Sequence, residues 1–534
     1  MEFIKAMLGT MWGQKNAWHD DLDLGGRHDA LQGESLEASL EANLEKIGII
    51  TGRTVDMTVR RFRLGGEKNA ALIYYEGLIT DNILQDIMRN LILETLKTDT
   101  LKKLKKTTNN VLEQLVTTTE VSTSSDLVTL FKGLASGSVC LIIDGQETAI
   151  LAEVISGDVF RQVSKPESEI SLRGPQDAFV ESLRLNTALI RRRIKTPHLW
   201  FESREIGALT QTSVDIAFIK GLADEGMVEE VRTRLDRIEI DGILESGYIE
   251  EFIEDQPLSL FPLALRTERP DKVAAGLLEG RVAIFTDGTP FVLIVPAEMA
   301  SLLQTPDDYY EKVPIGSLVR ILRMMAIGIS LLLPGLYVAA LTYHPEVLPT
   351  SLVMRITAAR EGVPFPVVAE VLILDILFEL LREAGLRLPP AIGPAISIVG
   401  ALILGDAAIR AGIVGPAVVI VIALTAIASF TAPVFSMAIT MRILRFGFTV
   451  IGSAFGLFGI QVGIFILMVH LCSLRSFGVP YMSPLAPLSI AEMKDNIIRW
   501  FWWKQRTRPR YLGQRDMQRQ GSEIDKIPPA GGTS

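Results

Sequence analysis

The sequence predicts an α/β cytoplasmic region of two subdomains followed by an all-α, multi-span membrane domain. Three observations carry that reading. Mean hydropathy is +0.30 over 534 residues although 22% of them are charged, so a polar part and a very apolar part share one chain. Strand-like and helix-like stretches alternate from about 45 to 310, whereas apolar runs of near-spanning length follow "PDDYYEKVPIGS". Pro334, Pro394 and Pro416 stand inside those runs, where they would break soluble helices but are tolerated in membrane bundles.

Residues 1–44 are polar and weakly patterned and read as a loose leader. The first subdomain, 45–165, has strands in "TVDMTVRRFRL" and "AALIYYEGL" around the turn "GGEKN". It continues with helical spacing in "DNILQDIMRNLILETLK" and a hairpin around Asp144-Gly145 in "SVCLIIDGQETAILAEV". The second subdomain, 166–310, holds "TSVDIAFIKGL", the helical "DKVAAGLLEG", and a hairpin in which "DGTP" joins "RVAIFT" to "FVLIVP". The membrane domain, 311–480, has four apolar helices at about 319–343, 391–409, 413–433 and 448–474. A fifth, 364–382, is amphipathic or re-entrant. Residues 481–534 form a basic cytoplasmic tail.

Net charge is −9, which excludes bulk nucleic-acid binding. Two cysteines, Cys140 and Cys472, make no disulfide framework. The N-terminus lacks an uninterrupted apolar stretch and a small-residue cleavage site, so no signal peptide is expected and the first part stays in the cytoplasm. Arg320 and Arg323 precede the first span, and the tail "KDNIIRWFWWKQRTRPR" is basic, which puts both ends on the cytoplasmic side. Four full crossings with 364–382 re-entrant satisfy that; five would leave the tail outside. The tail itself is expected at the headgroup layer, aromatics at the interface and basic groups toward anionic lipid.

No catalytic constellation, metal site or cofactor motif emerges, so the chain is not read as an enzyme. Five scattered histidines form no HExxH, there is no CxxC, "GLASGS" lacks the GK[ST] of a phosphate loop, and there is no GxSxG elbow. The basic run is richer. Arg173, Arg184, Arg191, Arg192 and Arg193 are either a solvated face or a dock for a subunit or lipid headgroups. Gly452, Gly456, Gly459 and Gly463 recur at steps of four, three and four, placing a packing face on the last span.

The amphipathic helix poses the main question, because charge at bilayer depth is expensive. Asp375, Glu379 and Glu383 share an arc of about 80°, with Val368 and Leu372 continuing it toward "VPFP", while Glu370 lies off it. Two readings fit. The carboxylates pair with Arg355, Arg360, Arg382 or Arg410. Otherwise they line a wet pathway through an oligomer that narrows at Val363, Pro364, Phe365, Pro366, Val368 and Leu372; acidic linings favour cations and apolar ones gate by dewetting.

The stretches "SEISLRGPQDAFVESLRLNTALIRRRIK", "RTERPDKVAAGLLEGRVAIFTDGTPFVLIVP", "REGVPFPVVAEVL" and "AIGPAISIVGALILGDAAIRAGIVGPAVVIVIALTAIASF" resemble the A subunits of GerA-type spore germinant receptors, over roughly 45–480. The resemblance implies a multi-pass protein of the spore inner membrane. It would act with a transporter-like B subunit and a lipoprotein C subunit to sense a small nutrient, an amino acid or sugar, and trigger germination. It also implies that the A subunit forms a homo-oligomeric, nutrient-gated cation channel. A non-conducting scaffold and a proton-coupled transporter remain alternatives, although no internal repeat of the transporter kind is visible.

Overall fold

The computed structural model describes residues 34–89 and 165–387 with short breaks, 121–153, 405–512 apart from 491, and 518–519. The polar region holds two five-stranded antiparallel sheets, followed by apolar helices. The fold is therefore the predicted one: α/β first, all-α second.

Helix α1 (Leu40–Ile50) starts where Ser39 accepts the Ala42 amide, a few residues inside the stretch read as a loose leader. Strands β1 (Met57–Leu64) and β2 (Lys68–Tyr75) pair in register from Met57↔Tyr75 to Leu64↔Lys68. Then come β3 (Val121–Ser124), α2 (Leu127–Ala135), β4 (Ser138–Ile143) and β5 (Ala149–Glu153). Gly145, at φ 81°, supplies the left-handed turn of the Asp144-Gly145 hairpin. Beyond α3 (Leu183–Arg193), the second unit runs β6 (Leu199–Ile206), β7 (Thr212–Ile219), α4 (Glu225–Asp236) and α5 (Ser246–Ile253). It closes with β8 (Leu265–Thr267), α6 (Pro270–Leu278), β9 (Val282–Thr286) and β10 (Val292–Val295).

The two sheets have the same plan. Their orders are β1-β2-β4-β5-β3 and β6-β7-β9-β10-β8, each with a helix before its first strand and another before its fourth. The polar region is thus a duplicated unit, invisible as a sequence repeat. The copies are sewn together at the loop after α1. Phe201 and Thr54 exchange hydrogen bonds, Trp200 Nε1 donates to the Ile50 carbonyl at 3.2 Å, and Gly52, at φ 62°, lies so close under the Trp200 ring that a Cβ would sit 2.3 Å from it.

Helix α7 (Val313–Thr342) is long and apolar enough to cross a membrane. After α8 (Thr350–Ala359), α9 (Val367–Arg387) packs its first turns on Val338 near the end of α7, in a cluster shared with Val414, Val418 and Ile422. Helix α10 (Pro416–Ser429) starts beside Glu370 and ends with Ser429 bonded to Arg382, so α9 and α10 run parallel. The 391–409 helix falls largely outside the described residues.

The final helical run, α11 (Phe435–Ser473), corrects the expected single span at 448–474. Gly456 adopts φ 64°, ψ −150°, a conformation essentially confined to glycine, and the chain doubles back there. Three pairs establish the reversal. Thr440 donates to the Leu260 carbonyl while His470 lies against the Phe261 ring; a Cβ on Gly463 would be 2.9 Å from the Phe448 ring; one on Gly452 would be 3.3 Å from Ile460. The run is a two-legged hairpin whose legs are each about 25–30 Å long at 1.5 Å per residue.

The four glycines therefore do not share one straight helix face. Gly456 makes the turn, Gly452 sits on the first leg, and Gly459 and Gly463 on the second. Gly452 alone of the four meets the backbone of another helix. A Cβ on Gly335 would lie 2.8 Å from the Phe448 carbonyl and one on Gly452 2.7 Å from the Gly335 carbonyl, so α7 and the first leg meet backbone to backbone.

The segment after the hairpin docks on the second subdomain, while Phe501, Trp502 and Trp503 stay exposed. Tyr481 accepts the Met299 amide at 2.9 Å, Arg508 donates to the Leu278 carbonyl at 3.0 Å, and Leu512 is buried. Arg320 and Arg323 are inside α7 and buried, both on Asp308, and Arg320 also reaches Asp495 of the tail. Burial opposes a charge on Asp308, but the Arg323 and Arg320 guanidiniums outweigh it and hold its carboxyl below the usual range. Arg499 donates to the Glu311 carbonyl and turns inward, whereas Lys504, Arg506 and Arg510 are exposed.

Candidate functional site

Helix α9 begins where Pro364 and Pro366 fix an extended loop; the Pro366 carbonyl accepts the Ala369 and Glu370 amides of the first turn. Pro364, Phe365 and Pro366 are exposed and Val363 is half-buried, its amide bonded to the Arg360 carbonyl at 3.0 Å. Glu370, off the expected face, is fully buried. It takes Arg360 through Nη2 at 2.6 Å and Nε at 2.9 Å, and the Gly415 amide at 2.7 Å.

Two turns further on, the acidic residues meet the first leg of α11. Asp375 and Arg445 are each 1% exposed and pair at 2.7 Å and 2.9 Å. Glu379 receives Arg445 at 3.0 Å and Arg442 at 2.9 Å, with Arg382 at 3.7 Å. Arg382 also donates to Ser429 of α10 at 2.8 Å and stacks on Phe378 and Phe430. Three guanidiniums and two carboxylates thus bind α9, α10 and α11 into one seam. Glu383 stands apart, exposed and paired only with Arg387 at 2.7 Å among the described residues.

The arc read as one face is therefore divided. Asp375 and Glu379 point into the chain, Val368 and Leu372 are half-buried, and the outward stripe runs through Ile376 (51% exposed), Leu380 (61%) and Glu383. Of the partners expected from sequence, Arg382 and Arg360 take part, whereas Arg410 pairs with Asp406. Arg442 and Arg445 were missed. Their signal was present: "MRILRFG" places both on one side of an apolar helix, where buried charges need partners.

The basic run of α3 is likewise rearranged. Arg191 is no exposed dock: it is fully buried between the subdomains, paired with Asp56 at 2.9 Å and stacked on Tyr75 and Phe201. Arg184 spans Asp215 and Glu76, and Arg193 holds Asp177. Arg192 is exposed, as is most of Arg173, which reaches Glu311 at 3.5 Å. Among the described residues no group of three or more His, Cys, Asp or Glu side chains is placed to hold a metal ion.

Residues 45–511 match the family described as Bacillus/Clostridium GerA spore germination protein. The chain belongs to the GerA family. This GerA-family chain is 43% identical over 497 residues to Spore germination protein KA of Bacillus subtilis (strain 168), covering 93% of itself and 90% of that protein. It is 43% identical over 478 residues to the Uncharacterized membrane protein YfkQ of the same organism, covering 90% of itself and 92% of that protein. Spore germination protein GerLA of Bacillus cereus is 38% identical over 483 residues, 90% of this chain and 97% of that one. Among solved structures, the N-terminal domain of the A subunit of the Bacillus megaterium spore germinant receptor GerK3 matches with a TM-score of 0.40 and 39% identity. It covers 49% of this chain and 97% of that domain. The GerA match reaches 511, beyond the roughly 480 read from sequence, and so takes in the docked tail.

Proposed function

We propose that this chain is the A subunit of a nutrient germinant receptor in the spore inner membrane, acting with a transporter-like B subunit and a lipoprotein C subunit. Copies of it assemble around a shared axis so that α9 lines a cation pathway opened by a small nutrient sensed by the complex. The observation that supports this most is the outward stripe of α9. Ile376 and Leu380 face away from the described helices, the exposed Phe365 precedes them, and Glu383 closes the other end. An apolar stripe with an acidic mouth suits a pathway that gates by dewetting and concentrates cations at its entrance. It needs neighbouring copies, since one helix encloses nothing.

The seam favours a second reading. Because Asp375 and Glu379 are already neutralised by arginines, α9 could equally be a strut in a non-conducting scaffold that couples a sensing partner to other germination proteins. Purified receptor reconstituted in vesicles decides. Passive, cation-selective conductance supports the pathway; saturable nutrient uptake points to a transporter; neither leaves the scaffold.

A further inference from the structure

We infer that Glu370 is the positioning residue of the apolar constriction, clamping the loop that carries Val363–Pro366 in its closed arrangement. The inference rests on the pathway reading above. Arg360 and Glu370 stand at the two ends of that loop, ten positions apart, so their ion pair closes it as a clasp. The pair is well built. One Glu370 oxygen receives both Arg360 donors, at 2.6 Å and 2.9 Å, and the other receives the Gly415 amide at 2.7 Å. Two charge-assisted bonds from one guanidinium to a single carboxylate oxygen, with the second oxygen held by a backbone amide, restrain the carboxylate from both sides.

The clasp also joins three elements. Arg360 terminates α8, Glu370 lies in the first turn of α9, and Gly415 is the cap of α10, whose positive end favours a carboxylate. Gly415 is needed there because a Cβ would come within 2.8 Å of the Arg360 stem. Between the clasped ends, the Val363 amide is bonded back to Arg360 and the Arg360 Nη2 lies 3.5 Å from the Phe365 carbonyl. The backbone on both sides of the Pro364 turn is thus referred to one buried carboxylate, while Phe365 itself remains exposed. Opening the clasp frees the loop without removing any apolar side chain of the constriction.

The test uses intact spores carrying the whole receptor, with Glu370→Gln, Glu370→Asp, Arg360→Lys and Val363→Ala compared. Readouts are receptor abundance in the inner membrane and cation release without nutrient. Glu370→Gln is expected to raise nutrient-independent release at least ten-fold at near-normal abundance, with Arg360→Lys intermediate and Glu370→Asp closer to the unsubstituted receptor. If Glu370→Gln fails to accumulate, Arg360→Lys decides by the same criterion. Lost abundance in both without release, or unchanged release in both, overturns the clasp. Leakage from Val363→Ala alone would refute the clasp and spare the pathway, whereas no leakage from any variant together with a silent reconstituted receptor would refute both.

Discussion

Replacing Arg445 with methionine keeps an aliphatic stem and removes the guanidinium that faces Asp375. Both groups are 1% exposed, and Arg445 supplies both close charged contacts of the Asp375 carboxylate, at 2.7 Å and 2.9 Å. Removing one member of such a pair costs about 3–5 kcal/mol, because the other is left buried and uncompensated. Glu379 suffers less: it keeps Arg442 at 2.9 Å and Arg382 at 3.7 Å, and it is partly open to solvent. A loss of that size consumes much of the ~5–15 kcal/mol that typically separates a folded domain from its unfolded state. Arg445→Met should therefore lower the abundance of the protein several-fold and lower the thermal midpoint of the detergent-solubilised protein. Adding Asp375→Leu removes the stranded charge and should recover most of both. Quantitative immunoblotting and a melting curve on single and double variants measure the effect. An Arg445→Met variant of normal abundance and midpoint, or a double variant no better than the single, would refute the argument. So would Asp375→Asn changing cation selectivity at normal abundance, since a paired, buried carboxylate has no ion to attract.

Two further outcomes follow from other regions. Burial, reinforced by Glu254 and Glu245 and opposed by Arg266, pushes the Glu250 carboxyl up to about 7 from its ordinary 4.5. The folded state then keeps a proton that the unfolded state releases, so this contribution is full below pH 4.5 and fades as pH rises to about 7. Glu250→Gln should flatten that fall and gain about 3 kcal/mol at pH 8, read from denaturation curves at several pH values; parallel curves for both proteins would disprove it. Gly335→Leu or Gly452→Leu must push α7 from the first leg of α11, where the backbones now meet, and should abolish accumulation of the receptor; normal levels would show that the approach is dispensable.

The sheets were legible because their turns carry their own chemistry. The Asp144-Gly145 and "DGTP" turns need left-handed residues and contain Gly145 and Gly288, at φ 81° and 86°. Strand order was not legible, since it depends on pairings between distant segments such as β3 with β5, and the duplicated plan shares no visible spelling. The hairpin of α11 was hidden for two reasons. A glycine that turns the chain looks like a glycine that lets helices approach, and Gly456 stands among three of the second kind. Moreover, Arg442 and Arg445 interrupt the apolar run, so the uninterrupted stretch starts only after them.

The same two arginines bear on what a pathway along α9 could do. In a chain whose Asp375 and Glu379 are satisfied from within, a lining built from α9's outer stripe would present Ile376 and Leu380 through its length and a carboxylate only at Glu383. Selectivity would then reside at the mouth, where Glu383 is exposed and its partner Arg387 is itself largely in solvent. An exposed pair of this kind contributes well under 1 kcal/mol to stability, so Glu383 can be exchanged without disturbing the fold. Asp375 cannot, because its charge is a structural element of the seam. Glu383→Gln should thus reduce cation selectivity at normal abundance while Asp375→Asn changes abundance first. The opposite order would place the water-filled side of the helix on its inner face, and the seam would have to open when copies assemble.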